Sequence, residues 1–351
     1  MPAKRHNNFG LARLIFATLV VLSHSPELVD GNRSREILTR LFGTISFGEF
    51  AVDGFFLISG FLITKSFTSS TSYLVFLQKR IRRIYPGFIV AYLFCIIVIG
   101  PIAGWTFPEI LELKSFVLAT LKGLVTLGGP EVENIFHGVP VPSLNGTMWT
   151  IRYEFLCYLM TLALGLSGIL HRKSLYTFLF GISIFASVLC NIYISHTTNT
   201  LLHNYLYNIA RLIPIYLCGG LFYIWHENIN YRFETSLLAA FLLILLLPLK
   251  NIPEFILSIP GGYLLFYFVF HCKRKKLHAI GTNVDLSYGI YLYAWPVQNT
   301  LIYLFRGISP WVLFIASLTL ASMLAYASWH IIERPFLRKR YAPPNPALAT
   351  P

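Results

Sequence analysis

The sequence predicts an all-α protein that crosses a membrane many times, on the evidence of its composition and its apolar runs. Hydrophobic residues make up 55% of the 351 residues, charged residues make up only 12%, and the mean hydropathy is +0.62. A soluble domain carries about 25% charged residues. Several of the apolar runs approach the roughly 20 residues that a helix needs to cross a bilayer. Because these runs are continuous rather than alternating, a β-barrel is disfavoured.

We predict about ten transmembrane helices and one segment that enters or lines the membrane without crossing it. Residues 109–129 carry two glutamates and two lysines, and a single crossing there would reverse every later connection. We therefore predict an interfacial or re-entrant helix for them. The predicted spans, of which 235–249 is short for a complete crossing, are residues 9–27, 47–66, 84–104, 147–167, 174–194, 204–225, 235–249, 252–271, 284–304 and 310–332.

The distribution of lysine and arginine predicts that both termini lie in the cytoplasm. With this orientation, seventeen of the 28 Lys and Arg residues fall in cytoplasmic segments and seven in outer segments, in agreement with the positive-inside rule. The net charge of +13 is then explained by orientation and by contacts with anionic lipids. No nucleic-acid partner is predicted, and we expect a multi-pass protein of the inner membrane.

A single membrane domain is predicted for residues 1–341, because no internal repeat or change of composition divides the chain. Residues 342–351 are predicted to form a disordered tail. The five cysteines are scattered singly, so neither a disulfide framework nor a metal site is predicted.

Arg13 and His24 are ionisable residues of the first span, whose end reads ATLVVLSHSPEL. Eleven residues return to nearly the same helix face and cover roughly 16 Å of the helix axis. An ionisable side chain within a span costs a few kcal/mol, so it needs a partner or a function. His24 is either a hydrogen-bonded structural residue or a neutral imidazole that can take a proton from a hydroxyl.

The second span contains a carboxylate, Asp53, within GEFAVDGFFLISGFLI. We expect a cationic or hydrogen-bonding partner for Asp53, and His24 and Arg152 on neighbouring helices are the candidates. A purely structural ion pair is the alternative. The glycines of this span predict a close approach to another helix.

Two arginines, Arg80 and Arg83, stand three residues apart in FLQKRIRRIYPGF and share one face of a helix. Paired guanidinium groups suit the phosphates of a soluble donor such as coenzyme A. Ordinary positive-inside charge explains the same two residues.

The stretch GTMWTIRYEFLCYL carries Arg152 and Glu154, which are two residues apart and therefore face different directions on a helix. We predict that each pairs with another element, and that Glu154 lies close to the depth of His24. Trp149 fits the aromatic belt at a membrane interface.

Together these segments resemble acyltransferase family 3, the integral-membrane O-acyltransferases that modify cell-surface glycans, over nearly the whole chain. NNFGLARLIFATLVVLSHS resembles the family's first helix with its arginine and essential histidine. FAVDGFFLISGFLI, QKRIRRIYP and MWTIRYEF are similar to its G-V-D-x-F-F-x-x-S-G-F-L, R-x-x-R and W-S-L-x-x-E motifs. RLIPIYLCGGLFY, SYGIYLYAWPVQ and IIERPF resemble its later helices and its closing E-x-P.

Three positions depart from the family's pattern. Gly10 stands where the first helix commonly has an aspartate, and Thr150 replaces a serine while keeping the hydroxyl. Ala294 stands where many members have a histidine, so that histidine is not required in this chain.

The resemblance implies transfer of an acyl group, most often acetyl, from acyl-CoA to a carbohydrate hydroxyl without a metal ion. His24 would act as general base or would carry the acyl group as an acyl-imidazole. Arg13, Arg80 and Arg83 would bind the donor. The remaining expected roles are orientation of the imidazole by Asp53 or Glu154, stabilisation of the oxyanion by Arg152 or Ser59, and substrate binding by Trp149, Arg211, Tyr288 and Tyr291.

The implied acceptor is a surface carbohydrate or a lipid-linked glycan, with glycan-assembly or export proteins as expected partners. The competing prediction is a transporter or flippase, because buried charged residues also line transport paths. A transporter would show inverted repeats or paired broken helices, and the sequence shows neither. A purely structural scaffold would not need this many charged residues within its spans. Release of free CoA separates an enzyme from a carrier.

Overall fold

The computed structural model describes residues 7–106, 110–194, 200–249, 254–272, 275–278 and 280–338, and the regular structure in these residues is entirely helical. Short π-helical segments, Cys95–Ile99 and Trp329–Glu333, join α4 to α5 and α14 to α15. The α-helices of the described residues are α1 (Phe9–Asp30), α2 (Ile37–Phe42), α3 (Phe47–Thr68), α4 (Tyr73–Phe94), α5 (Gly100–Ile102), α6 (Ile110–Thr126), α7 (Trp149–Leu166), α8 (Lys173–Ile194), α9 (Thr200–Ile224), α10 (Phe233–Leu246), α11 (Glu254–His271), α12 (Lys275–His278), α13 (Ser287–Leu304), α14 (Pro310–Ser328) and α15 (Arg334–Arg338).

Several of these helices are long and apolar enough to cross a membrane, so the prediction of a polytopic helical membrane protein is confirmed. Two shorter apolar helices are Phe233–Leu246 and Ile256–His271. The count of ten spans and the cytoplasmic termini stay predictions, and the predicted tail 342–351 lies outside the described residues. The six long apolar stretches among the described residues are Phe9–Asp30, Phe47–Thr68, Tyr73–Ile102, Lys173–Ile194, Leu202–Ile224 and Pro310–Leu337.

The positions of Arg83 and His24 identify the two ends of the helical bundle. Asp285 contacts both Arg13 of α1 and Arg83 of α4, which places these arginines at the same end. His24 lies eleven residues further along α1, roughly 16 Å away along the helix axis. We call the end that carries Arg80 and Arg83 the basic end, and the opposite end the His24 end.

Glycines allow α3 and α9 to pack with their backbones in contact. A Cβ atom added at Gly60 would overlap the carbonyl oxygen of Tyr216, and one added at Gly219 would overlap the carbonyl oxygen of Leu57. Small residues permit this close approach where helices associate within a bilayer. The predicted close approach at the glycines of the second span is therefore confirmed.

We expect Gly60→Ala to lower the stability of the protein, because the new Cβ would force α3 and α9 apart. Overpacking of this kind costs about 1–3 kcal/mol. The measurement is the midpoint of thermal unfolding of the purified protein in detergent. Gly181→Ala in α8 is the matched control, since nothing lies within 4 Å of an added Cβ there. Equal midpoints for the two variants would contradict the close packing of α3 on α9.

Residues 110–148 leave the His24 end of the bundle and return to it, and we call them the re-entrant segment. α6 runs antiparallel to α4 from the His24 end, since Phe116 contacts Trp105 and the Tyr85 hydroxyl donates to the carbonyl of Val125, 3.2 Å away. The chain then returns to the His24 end, where the Phe136 amide donates to the carbonyl of Ala103. Whether residues 109–129 are interfacial or re-entrant with respect to the membrane stays a prediction.

The second half of the re-entrant segment runs down the side of α13 in a non-helical conformation. The side-chain amide of Asn299 donates to the carbonyls of Val141 and Ser143. The side-chain amide of Asn145 donates to the carbonyl of Leu292 at 2.8 Å. Irregular backbone within a membrane protein is tolerated where the protein satisfies its hydrogen bonds. As a result α7 begins within the bundle, beside Tyr291, rather than at the His24 end.

Candidate active site

A central cavity of about 830 Å³ extends from the basic end into the bundle among α1, α3, α4, α7 and α13. Phe55, Thr150 and Tyr291 line its inner end. The Phe55 and Tyr291 rings meet edge to face at 6.0 Å, and the Thr150 and Tyr291 hydroxyls are hydrogen-bonded at 2.6 Å. The charged side chains that line the cavity are Arg13, Lys79, Arg80, Arg82, Arg83 and Glu154.

Two of the lining arginines are held by buried carboxylates. The Asp285 carboxylate accepts from Arg83 at 2.7 Å and lies 3.2 Å from Arg13. Glu333 lies 3.8 Å from Arg83. The Arg83 and Arg13 guanidinium groups neutralise the buried Asp285 carboxylate. This network joins α1, α4 and the ends of α13 and α14 at the basic end.

Arg80 differs from Arg83, because no carboxylate of the described residues lies within 4.0 Å of its guanidinium group. The Arg80 guanidinium donates to the Ser66 hydroxyl at 3.2 Å and lies over the rings of Phe76 and Tyr158. Its Nε atom is buried without a hydrogen-bond partner among the described residues. Arg80 therefore presents its charge to the central cavity without a directly paired carboxylate among the described residues.

Glu154 lies in the same cavity, where its carboxylate accepts from Tyr158 at 2.6 Å and from Ser59 at 3.3 Å. Along α7, Glu154 lies one turn beyond Thr150, toward the basic end. Along α13, Trp295, which contacts His24, lies one turn beyond Tyr291, toward the His24 end. Glu154 and His24 thus differ in depth by two helical turns, roughly 12 Å. The prediction that they share a depth is wrong, because the re-entrant segment starts α7 inside the bundle.

His24 lies outside the set of described residues that line the central cavity. Its Nδ1 atom is 3.0 Å from a carboxylate oxygen of Glu27, three residues further on in α1. The other oxygen of Glu27 accepts from Arg33 at 3.1 Å, and Arg33 also donates to Glu49 at 2.6 Å. The Trp295 ring meets the imidazole edge to face, with 4.8 Å between the ring centroids.

The structure corrects two expectations for the imidazole partner. Arg211 of α9 donates to the Asp53 carboxylate at 2.9 Å, so the cation that pairs with Asp53 comes from neither His24 nor Arg152. The carboxylate bound to His24 belongs to Glu27, and neither Asp53 nor Glu154 takes that place. Which charged side chains form ion pairs between neighbouring helices depends on the rotation of each helix about its own axis, and the sequence does not specify that rotation.

The remaining predicted residues fall in different places. Arg152 is exposed and donates to the carbonyl of Thr126, 2.9 Å away, which places it outside the central cavity. Trp149 is 37% exposed at the start of α7. Tyr288 lines the cavity beneath Arg83, with its ring 5.5 Å from the guanidinium carbon.

Two departures from the expected pattern have structural explanations. Gly10 packs against the backbone of Gly281, and an added Cβ would lie 2.7 Å from the Gly281 carbonyl carbon. An aspartate at this position would not fit this backbone arrangement. Ala294 is buried in α13 among core residues.

The sequence prediction missed several residues that build these two sites. The i,i+3 spacing of His24 and Glu27 is a local signal that identifies the pair on any helix. The others are brought in by the tertiary fold and have no such signal. The missed residues are Glu27, Arg33, Glu49, Asp285, Trp295 and Glu333.

The fold and these two sites define a polytopic membrane protein with an arginine-rich central cavity and a separate histidine–carboxylate site. The chain belongs to acyltransferase family 3, because the family model described as "Acyltransferase domain" matches residues 6–330. The predicted family and the prediction of a transferase enzyme are thereby confirmed.

Three relatives carry names in keeping with this family. The "O-acetyl transferase" of Shigella phage Sf6 is 28% identical over 95% of this chain and 97% of its own. "Nodulation protein 10" of Rhizobium leguminosarum bv. viciae is 27% identical over 97% of this chain and 96% of its own. "Acyltransferase MdmB" of Streptomyces mycarofaciens is 28% identical over 41% of this chain and 35% of its own. No solved structure matches the chain.

Proposed function

We propose that this acyltransferase transfers an acetyl group from acetyl-CoA to a carbohydrate hydroxyl at His24. The observation that carries the proposal is the central cavity. Its mouth is basic, and Tyr291 at its inner end lies one helical turn from Trp295, the residue that contacts His24. The printed name of the phage relative supports an acetyl group, and the family supports a carbohydrate acceptor.

The basic end fits the phosphates of coenzyme A. Among the described residues, five cationic side chains and one carboxylate line the central cavity, so its field favours a polyanion. Arg80 has no carboxylate within ion-pair distance in this part of the chain and suits a phosphate oxygen, while Arg83 and Arg13 are held by Asp285. The pantetheine arm would extend past Glu154 and Ser59 toward Phe55 and Tyr291. We assign the basic end to the cytoplasm, where its positive charge follows the positive-inside rule.

The aromatic contact between Phe55 and Tyr291 separates the donor cavity from His24. For transfer at His24, the thioester must pass between these rings, so one of them has to change rotamer when the donor binds. The acceptor approaches from the His24 end, which on this orientation faces away from the cytoplasm. Glycan-assembly or export proteins on that side are the partners that we expect to supply the acceptor.

His24 acts as the general base in this proposal. Nδ1 donates its hydrogen to Glu27, which leaves the Nε2 lone pair free to accept a proton. The sugar hydroxyl oxygen attacks the thioester carbonyl as its proton moves to Nε2, the carbon–sulfur bond breaks, and the CoA thiolate then receives the proton. In the alternative order, Nε2 attacks the thioester first, and the acyl-imidazole passes the acyl group to the sugar.

Release of CoA by the purified protein tests this proposal. Native protein with acetyl-CoA and a crude glycan acceptor is expected to release free thiol, which a thiol reagent detects, and the acceptor is expected to gain acetyl groups. Release without acetylation of the glycan would contradict the carbohydrate acceptor. Absence of release with every donor and acceptor would contradict the whole proposal and would favour the transporter prediction, which membership of an acyltransferase family disfavours.

A further inference from the structure

We propose that Glu27 is the positioning residue for His24, and that Arg33 holds Glu27 in place. The inference deepens the proposed function and rests on it, because it assumes that the imidazole takes the hydroxyl proton. It concerns the His24 network, which consists of His24, Glu27, Arg33 and Glu49.

Both oxygens of the Glu27 carboxylate have partners, so its orientation is set from two sides. One oxygen lies 3.0 Å from Nδ1 of His24, and the other accepts from Nε of Arg33 at 3.1 Å. The His24 and Glu27 side chains are only 16% and 19% exposed. At this depth a charged hydrogen bond is stronger than between exposed groups, because less water competes for it.

The network is anchored on a second helix. Arg33, in the connection after α1, donates through Nη1 to Glu49 at 2.6 Å. The Glu49 carboxylate also accepts from the backbone amide and the hydroxyl of Ser46, which cap the start of α3. The position of Glu27 relative to α3 is therefore fixed by Arg33, which also separates two carboxylates that would otherwise repel each other.

The arrangement performs two tasks at the imidazole. The carboxylate holds the hydrogen on Nδ1, so Nε2 is the basic atom, and it stabilises the positive charge that develops when Nε2 takes the proton. The edge of Trp295 packs against the same ring at 4.8 Å and limits its rotation. A ring held by an oxygen on one side and an indole on the other keeps Nε2 in one direction.

Steady-state CoA release by Glu27 variants tests the proposal. We expect Glu27→Gln to lower kcat by about 10- to 1,000-fold while KM for acetyl-CoA changes less than about twofold, since the donor binds in the central cavity. Glu27→Ala is expected to be at least as impaired. Glu27→Asp, which keeps the charge, is expected to recover part of the lost kcat, and this recovery would not follow from a merely structural role.

Asp30→Asn is the matched control. Asp30 lies three residues beyond Glu27 on the same helix and pairs with Arg35 rather than with the His24 network. We expect its kcat to stay within about twofold of native. If Asp30→Asn lost as much activity as Glu27→Gln, the effect would be a general disturbance of this helix end, and the assignment of Glu27 would be overturned.

A spectroscopic measurement keeps this inference separate from the proposed function. In protein labelled with ¹⁵N-histidine, the signals absent from His24→Ala identify His24, and their shifts report which ring nitrogen carries the hydrogen. We expect the Nδ1–H tautomer in native protein and its loss in Glu27→Ala. An Nε2–H tautomer in native protein would overturn the positioning role, whether or not CoA is released. If native protein is active, His24→Ala is inactive and Glu27→Gln is native-like, the positioning role fails while the proposed function stands.

Discussion

Replacing His24 with alanine is expected to lower kcat for CoA release by about 10²- to 10⁴-fold, the range in which a general acid–base group contributes. The dissociation constant of acetyl-CoA is expected to stay within about threefold of native, because His24 lies beyond the residues that line the central cavity. The proposed reaction needs an atom that takes the hydroxyl proton, and Nε2 of His24 is the atom that the Glu27 hydrogen bond leaves free.

Steady-state release of CoA and calorimetric titration with acetyl-CoA measure these two quantities. His226→Ala is the control, since His226 is exposed after α9 and far from α1 in the chain. If His24→Ala turned over like native protein, His24 would be a structural residue, and the reaction would need another base. Loss of donor binding in His24→Ala would instead place the donor in contact with the imidazole.

Arg80 and Arg83 are expected to respond differently to replacement, although they share one motif. Arg80→Ala is expected to weaken acetyl-CoA binding by about 10- to 100-fold, because a hydrogen bond to a charged group contributes about 1.5–3 kcal/mol. Arg83→Ala is expected to destabilise the protein by about 3–5 kcal/mol, because it leaves the buried Glu333 carboxylate without its cation and leaves Asp285 with Arg13 alone.

Titration with acetyl-CoA and thermal unfolding in detergent separate the two effects. Arg80→Ala is expected to unfold at nearly the native temperature, and Arg83→Ala at a clearly lower one. Arg172→Ala, an exposed arginine just before α8, controls for the loss of one positive charge. Weak donor binding with native stability in Arg83→Ala, together with native binding in Arg80→Ala, would reverse the assignment.

The difference between Arg80 and Arg83 depends on a tertiary contact that the sequence does not predict. The i,i+3 spacing predicts that both side chains share a helix face, and both do line the central cavity. The sequence motif alone treats them as equivalent. They differ because Asp285, 202 residues away in the chain, reaches Arg83, and no local pattern reports a contact at that separation.

The depth of Glu154 also depends on the tertiary structure, through the re-entrant segment. Its mixed charge predicts that residues 109–129 do not form an ordinary span, and α6 is part of a segment that leaves the His24 end of the bundle and returns to it. Its consequence for Glu154 is not readable in the sequence. Counting from the apparent start of a span assumes that the span starts at the membrane surface, but α7 starts beside Tyr291. The Thr147 hydroxyl donates to the Tyr291 carbonyl, and the Tyr291 hydroxyl donates to the Thr147 carbonyl.

Composition and helical period are enough to predict the membrane class, the all-helical architecture and the spacing of Arg13 and His24 along one helix. These features follow from composition and helical period, because an apolar segment in a bilayer must satisfy its backbone hydrogen bonds internally and therefore forms a helix. Which charges neutralise each other depends on how the helices pack. Asp53 pairs with Arg211, and Asp285 with Arg83, across 158 and 202 residues of chain, because a buried charge takes whichever opposite charge helix packing brings within reach.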